Sequence, residues 1–218
     1  MDKKLIIAHR GACYYEKENS IAAFKKAIAL KAEMVEFDVR KTLDNKIIVL
    51  HNGKVKGKRD SKLKYADIDK KLKRKVPILE EVLRFLKGRI KIDVHLKERG
   101  YEEEVIRIIL KYFKEKDVLI SSQYLDSLRK IKEEFPKIKT GLVMNINLKN
   151  IFVFPKEKSF DYLIPRWQLI NPIFMRRAKK YNKRVIPWTI NNKRWAKKLL
   201  KNKIIAGILT DRPDLMTQ

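Results

Sequence analysis

The stretch Met34-Val35-Glu36-Phe37-Asp38-Val39-Arg40-Lys41-Thr42-Leu43-Asp44-Asn45-Lys46-Ile47-Ile48-Val49-Leu50-His51 decides the architecture. Its first six residues read as a buried strand, yet two carboxylates interrupt the apolar run at a spacing of two, on one face. Ile47–Leu50 reads as a second strand, and Asp44-Asn45 between the two is a turn signal. A parallel crossover needs a dozen or more residues, so these strands form a hairpin. A two-residue turn at Asp44-Asn45 pairs Leu43 with Lys46 and brings Asp38 opposite His51.

Outward from this hairpin, short runs rich in Ile, Val and Leu alternate with segments of helical periodicity. The runs are Leu5–Ala8, Met34–Val39, Ile90–His95, Val118–Ser121, Lys139–Val143, Tyr162–Pro165, Val185–Thr189 and Gly207–Thr210. Asn19 or Ser20 caps the helix carrying Ile21, Phe24 and Ile28. Pro77 opens and Gly88 closes Ile78–Leu86, and Asn171-Pro172 opens Ile173–Tyr181. Glu102, Glu103 and Glu104 crowd the first turn of another helix, where its dipole favours them. Only Asn145–Lys158 shows no clear helix. Eight βα units predict an α/β fold: a single (β/α)8 TIM-type barrel over residues 1–218, with a β-hairpin excursion after strand two.

With 53 Lys+Arg against 26 Asp+Glu the formal charge is +27, and 44% hydrophobic residues still supply a full core. One cysteine excludes a disulfide framework and a thiolate zinc cluster. No run approaches the ~18 apolar residues of a membrane span, and Leu5–Ala8 is too short for a signal-peptide core. The expectation is a cytoplasmic protein. The charge fits a thermophile's solvated Lys/Glu faces or attraction to something anionic. It concentrates in Lys54–Lys75, where eleven basic residues face Asp60, Asp67 and Asp69. Aromatic residues are not interleaved with the basic runs, so nucleic acid is not an expected partner.

Chemistry in such barrels sits at the C-terminal ends of the strands. There the sequence places His9 and Arg10, Glu36 and Asp38, His51, Asp93 and His95, Trp188 and Thr189, and Asp211-Arg212, so all three histidines of the chain fall on one rim. Glu36, Asp38 and Asp93 on inward faces form an oxygen-rich, sulfur-free donor set that suits a hard divalent cation, Mg²⁺ or Ca²⁺. Two histidines beside it suit general acid and base catalysis near neutral pH. Arg10 would hold a phosphate oxygen or pair with a rim acid.

Those residues also carry a resemblance. Ile6-Ile7-Ala8-His9-Arg10-Gly11, Glu18-Asn19-Ser20, Val35-Glu36-Phe37-Asp38-Val39 and Val49-Leu50-His51, then Val76–Leu83, Val185–Asn191 and Gly207–Asp214, resemble in order the motifs of the glycerophosphodiester phosphodiesterase family. The resemblance implies a metal-dependent barrel phosphodiesterase that cleaves small glycerophosphodiesters to glycerol phosphate and an alcohol. His9 and His51 match its catalytic pair, Arg10 its phosphate contact, and Glu36 and Asp38 two of its metal ligands. The family's third ligand, Glu, with Lys two residues on, is replaced by Asp93 and His95, so His95 becomes the candidate phosphate donor, effective only when protonated. Asn52 follows His51 where the family has Asp. Only 27 residues separate His51 from Leu79, a reduced cap insertion.

The expected mechanism has a cation on Glu36, Asp38 and Asp93, with one of His9 and His51 taking the proton of the attacking oxygen and the other protonating the leaving alcohol. Either assignment fits the sequence. Arg10 and His95 bind the phosphate, and Trp188 floors the pocket; Trp167 is a second candidate. Two alternatives stand beside this. One is a lysophospholipase-D-type activity with peripheral contact to an anionic membrane, and the other a weakened, non-catalytic basic barrel that binds anionic ligands.

Overall fold

The computed structural model describes residues 3–145 and 158–216. The chain opens with β1 (Leu5–Ala8), α1 (Ile21–Ala29), β2 (Met34–Lys41) and β3 (Ile47–Val49). A compact insertion follows, made of β4 (Lys54–Val55), β5 (Lys58–Arg59) and α2 (Tyr65–Leu72). The barrel resumes with α3 (Leu79–Leu86), β6 (Lys91–Leu96), α4 (Glu102–Leu110), β7 (Val118–Ser122), α5 (Leu125–Glu134) and β8 (Lys139–Met144). It closes with β9 (Tyr162–Pro165), α6 (Pro172–Lys180), β10 (Arg184–Val185), α7 (Lys193–Leu200) and β11 (Gly207–Thr210). The unit read at Asn145–Lys158 lies, but for its two end residues, outside the described residues.

Eight strands pair in the order β10-β9-β8-β7-β6-β2-β1-β11, every neighbour parallel. Val185 N–H donates to the Ile204 carbonyl (2.8 Å) and Leu209 N–H to that of Pro187 (2.9 Å), which draws the first and last strands together into a nearly closed barrel. The seventh strand, expected to reach Thr189, keeps a regular ladder only to Val185, and beyond it Trp188 N–H still bonds the Pro165 carbonyl (3.0 Å).

Alternation sorts the side chains. Val35, Phe37 and Val39 of β2 and Ile92, Val94 and Leu96 of β6 face the helix layer, in one cluster with Phe24, Leu83 and Ile106. Ile7, Met34, Leu119, Val143, Ile164, Ile186 and Leu209 fill the barrel. Two residues on from Met34 along the interior face come Glu36 and Asp38, so the interior is apolar below and ionisable at its C-terminal mouth. Helix caps follow their residue types: Ser20, Asn171 and Asn192 accept the backbone N–H of Ala23, Phe174 and Trp195.

The hairpin forms in a different register from the one expected. Val39 pairs with Val49 and Lys41 with Ile47, so Asp38 lies opposite Leu50, whose N–H it accepts at 3.0 Å, and His51 lies one residue further on. Three residues, not two, make the loop. Thr42 N–H bonds the Lys46 carbonyl (2.9 Å), and Asn45 takes a left-handed conformation with φ of 59°, which completes a three-residue turn. The basic segment is folded as well. Val55, Leu63, Ile68 and Val76 form a small core against Ile48 and Leu50 of the hairpin, with Lys56 and Gly57 at positive φ turning β4 into β5.

Candidate active site

Eight of the residues expected at the site line one cavity. His9, Arg10, Glu36, Asp38, His51, Asp93, His95 and Trp188 line a space of about 50 Å³, with Lys97 and Ser121 beside them. That is room for a few waters or a hydrated cation. A larger open groove of about 640 Å³ between the hairpin, α3 and α4 lies on the outer layer, far from these groups, and is lined by Ile47, Ile78 and Arg107 among others.

The parallel register sets β2 and β6 abreast, Glu36 beside Asp93 and Asp38 beside His95. Glu36, Asp38 and His95 place donor atoms within 4.8 Å of one another. Asp93 accepts the Ser121 hydroxyl at 2.7 Å through Oδ1, while its buried Oδ2 has no partner. Burial, with Asp38 adding its charge, lifts the Glu36 carboxyl to about 8. Burial likewise lifts Asp93 to about 7, against the Ser121 hydrogen bond. Asp38 goes the other way: burial would raise it, but His95 at 3.2 Å, Lys97 at 3.5 Å and Arg10 at 3.3 Å hold it well below the usual range. Two buried carboxyls with raised pKa values, one of them with an unpartnered oxygen, form a donor set that suits a divalent cation.

The two histidines differ. His9 Nδ1 lies 2.7 Å from Asp211 Oδ1. Burial would lower its pKa, but Asp211 and Glu36 raise it. Asp211 is pulled to about 2 despite its burial, by hydrogen bonds from His9, Cys13 and Asn191. With Nδ1–H committed to Asp211, Nε2 is left for chemistry. His51 has the weaker brace, Asn52 Oδ1 at 3.2 Å, and burial lowers its pKa although Asp38 opposes this. Arg40 Nε holds the His51 carbonyl at 3.0 Å. His95 is pushed to about 4, by burial first and then Lys97, against its bond with Asp38. A lowered pKa favours the neutral imidazole near neutral pH, and its Nδ1 faces Asp38 Oδ1 at 3.2 Å.

Arg10 divides its contacts. Its N–H donates to Glu36 Oε2 (2.7 Å), and its guanidinium reaches Glu18 (2.5 Å) and Asp38. It adopts a positive φ of 52°, next to Gly11 at φ of 82°, where any Cβ would strike Ala23. Trp188 is tethered through Nε1 to the Ile164 carbonyl (3.0 Å), its ring 6.3 Å from that of His9. Trp167 packs edge-on against Trp195 and is not among the residues lining the cavity.

Sequence reasoning missed four participants. Asp211 stands in the sequence as a rim residue without a task. Lys97 continues the spacing of 93 and 95 and could have been found by it. Asn19, a candidate helix cap, is instead fully buried, donating to Asp38 Oδ2 (2.9 Å) and accepting the Asp38 N–H (3.1 Å). Ser121 carried no local signal at all.

Comparison with known proteins agrees with this geometry. A sequence model described as the glycerophosphoryl diester phosphodiesterase family matches residues 9–215. A glycerophosphodiester phosphodiesterase of Caldanaerobacter subterraneus is 31% identical over 235 residues, covering 98% of this chain and 96% of that protein. A putative glycerophosphodiester phosphodiesterase of Bacillus subtilis is 28% identical, covering 97% and 96%. Among solved structures, the glycerophosphodiester phosphodiesterase of Thermotoga maritima superposes with a TM-score of 0.83 at 23% identity, covering 99% and 97%. A barrel with this mouth, matched to that family from His9 to Leu215, belongs to the glycerophosphodiester phosphodiesterases and is an enzyme.

Proposed function

We infer that the protein hydrolyses small glycerophosphodiesters to glycerol phosphate and an alcohol with a divalent cation, His9 acting as general base and His51 as general acid. The observation that carries the assignment is Asp211 on His9 Nδ1. An aspartate in that position orients the imidazole and stabilises the imidazolium formed when Nε2 accepts a proton, as in hydrolytic triads. A solved structure of an Oleispira antarctica phosphodiesterase with a TM-score of 0.81 is a complex with the product sn-glycerol-3-phosphate, and the expected product here is of that class.

Glu36, Asp38 and Asp93 would hold the cation, with neutral His95 at its side; the unpartnered Asp93 Oδ2 and the proton-loaded Glu36 fit such a group. When bound, the cation supplies positive charge to the phosphoryl oxygens. The chain's own groups do the rest. Arg10 and Lys97 bring fixed positive charge to the phosphate. His9 Nε2 takes the proton of the attacking oxygen, with Asp211 stabilising the resulting charge. His51, uncharged in the free enzyme, is drawn toward protonation by the anionic substrate and gives that proton to the leaving alkoxide. Trp188 walls the pocket beside His9.

The activity is tested with glycerophosphocholine, glycerophosphoglycerol and a lysophospholipid, each with Mg²⁺, with Ca²⁺ and with excess chelator. Glycerol phosphate should form from the first two and stop in chelator. Cleavage of the lysophospholipid alone would move the protein to the lysophospholipase-D reading. The proton roles separate on a glycerophosphodiester with an aryl leaving group, which needs no acid. His51→Ala should lose about 10²–10⁴ in rate on alkyl diesters but about tenfold or less on the aryl one, while His9→Ala loses on both. The reverse pattern would exchange the two roles.

A further inference from the structure

Next to the catalytic cavity, and joined to it at Lys97, is an open groove of about 620 Å³. It begins at Asn52, the residue that braces His51, on the side where the leaving alcohol departs in the mechanism above. Arg40 lines it from β2, Lys54 and Arg59 from the small hairpin, and Gln123 and Tyr124 from the segment after β7. Its charges are unequally spent. Arg40 pairs with Glu98 at 3.0 Å and Lys97 lies 3.5 Å from Asp38. Lys54 and Arg59 are exposed and have no ion-pair partner among the described residues.

These two cations are also direct cross-strand partners in the β4–β5 ladder. Like charges set opposite each other weaken a two-stranded ribbon that has little else to hold it. A local rule broken without compensation marks a functional candidate, and among the described residues no anion compensates these two cations. The groove is equally poor for a cation. The one aromatic ring lining it among the described residues, Tyr124, carries the Arg99 guanidinium 4.2 Å from its centroid, so an ammonium headgroup meets positive charge where a cage would need a bare ring.

We propose that this groove receives the alcohol portion of the substrate and selects alcohols carrying an anionic group of their own, a second phosphate above all, over neutral and cationic ones. The proposal rests on the glycerophosphodiesterase reading and names the substrate class of the same site. Lys54 and Arg59 receive the distal phosphate while Arg10 and Lys97 face the scissile one.

The test compares kcat and KM for glycerophosphocholine, glycerophosphoglycerol and glycerophosphoglycerol phosphorylated on its distal hydroxyl. The phosphorylated diester should exceed glycerophosphocholine in kcat/KM by about tenfold or more, the span of two partly screened charge contacts. In K54E/R59E its KM should rise by about the same factor, with the effect on KM rather than kcat, so that the preference collapses. K54Q/R59Q, which adds no acid, should fall between, and thermal melts check that both variants fold. An unchanged preference in the variants, or a wild-type preference for glycerophosphocholine, overturns the groove assignment while leaving the activity intact. Failure to cleave any of the three with either cation overturns the activity itself, and the assignment with it.

Discussion

Glu36 and Asp38 sit two residues apart on one strand and respond oppositely to the same cavity. Glu36 meets burial and a like charge, so in the metal-free fold it stays protonated up to about 8. The unfolded chain releases that proton near 4.5. The metal-free protein therefore loses stability as pH rises between those values, and Glu36→Gln removes the loss. Asp38 is held ionised by His95, Lys97, Arg10 and Asn19, so its contribution is present above the ordinary aspartate range and vanishes only in acid. Asp38→Asn leaves Lys97 and Arg10 without that anion, the costly way to break a buried pair. In chelator at pH 8 the Tm should rise by a few degrees for Glu36→Gln and fall by about 5–10 °C for Asp38→Asn. Both variants should lose cation-dependent turnover. Equal shifts of one sign in the two melts would contradict the opposed environments.

At the scale of elements, the reduced insertion between β3 and α3 is a folded unit with its own core. Leu43 N–H bonds the Leu63 carbonyl (3.0 Å), Asp44 Oδ1 accepts the Tyr65 N–H (2.9 Å), and the Tyr65 hydroxyl donates to the Val76 carbonyl (2.8 Å). Ile68 is fully buried there, in a cluster separate from the barrel interior and the helix layer. Ile68→Ala should cost this unit about 2–5 kcal/mol and speed amide exchange in residues 47–78, with β6, β7 and β8 still protected. Uniform acceleration across the barrel would show that insertion and barrel open as one. None of the segment's lysines lines the catalytic cavity; Lys54 and Arg59 reach only the adjoining groove.

Over the whole molecule, a formal charge of +27 on 218 residues opposes compactness by self-repulsion and attracts anionic substrates. Screening weakens both effects. Raising salt from about 0.05 to about 0.5 M, where the screening length drops below ~10 Å, should raise Tm and lower kcat/KM on an anionic diester. The opposed signs are the check. A Tm that falls with salt would mean that ion pairs, and not net repulsion, dominate. Among the described residues no helix is long and apolar enough to cross a membrane.

The eight strands, the hairpin after the second of them, and the placing of His9, His51, Glu36, Asp38 and Asp93 on one rim are legible in the residues alone. Those conclusions need only a period of two, the position of a residue along its own strand, and the length of its connections, all of which are local. The hairpin's register escaped because a third loop residue in a left-handed conformation, Asn45, moves every pairing by one. Which groups act on which depends on how the barrel closes. Asp211 braces His9 from 202 residues away, Ser121 occupies one oxygen of Asp93 from 28 away, and Asn19 leaves a helix cap to hold Asp38. The protonation states followed from the same closure. Whether Glu36 keeps its proton and His95 lacks one depends on how much water the whole ring of strands excludes and which charges it leaves facing them, and no single strand carries that information.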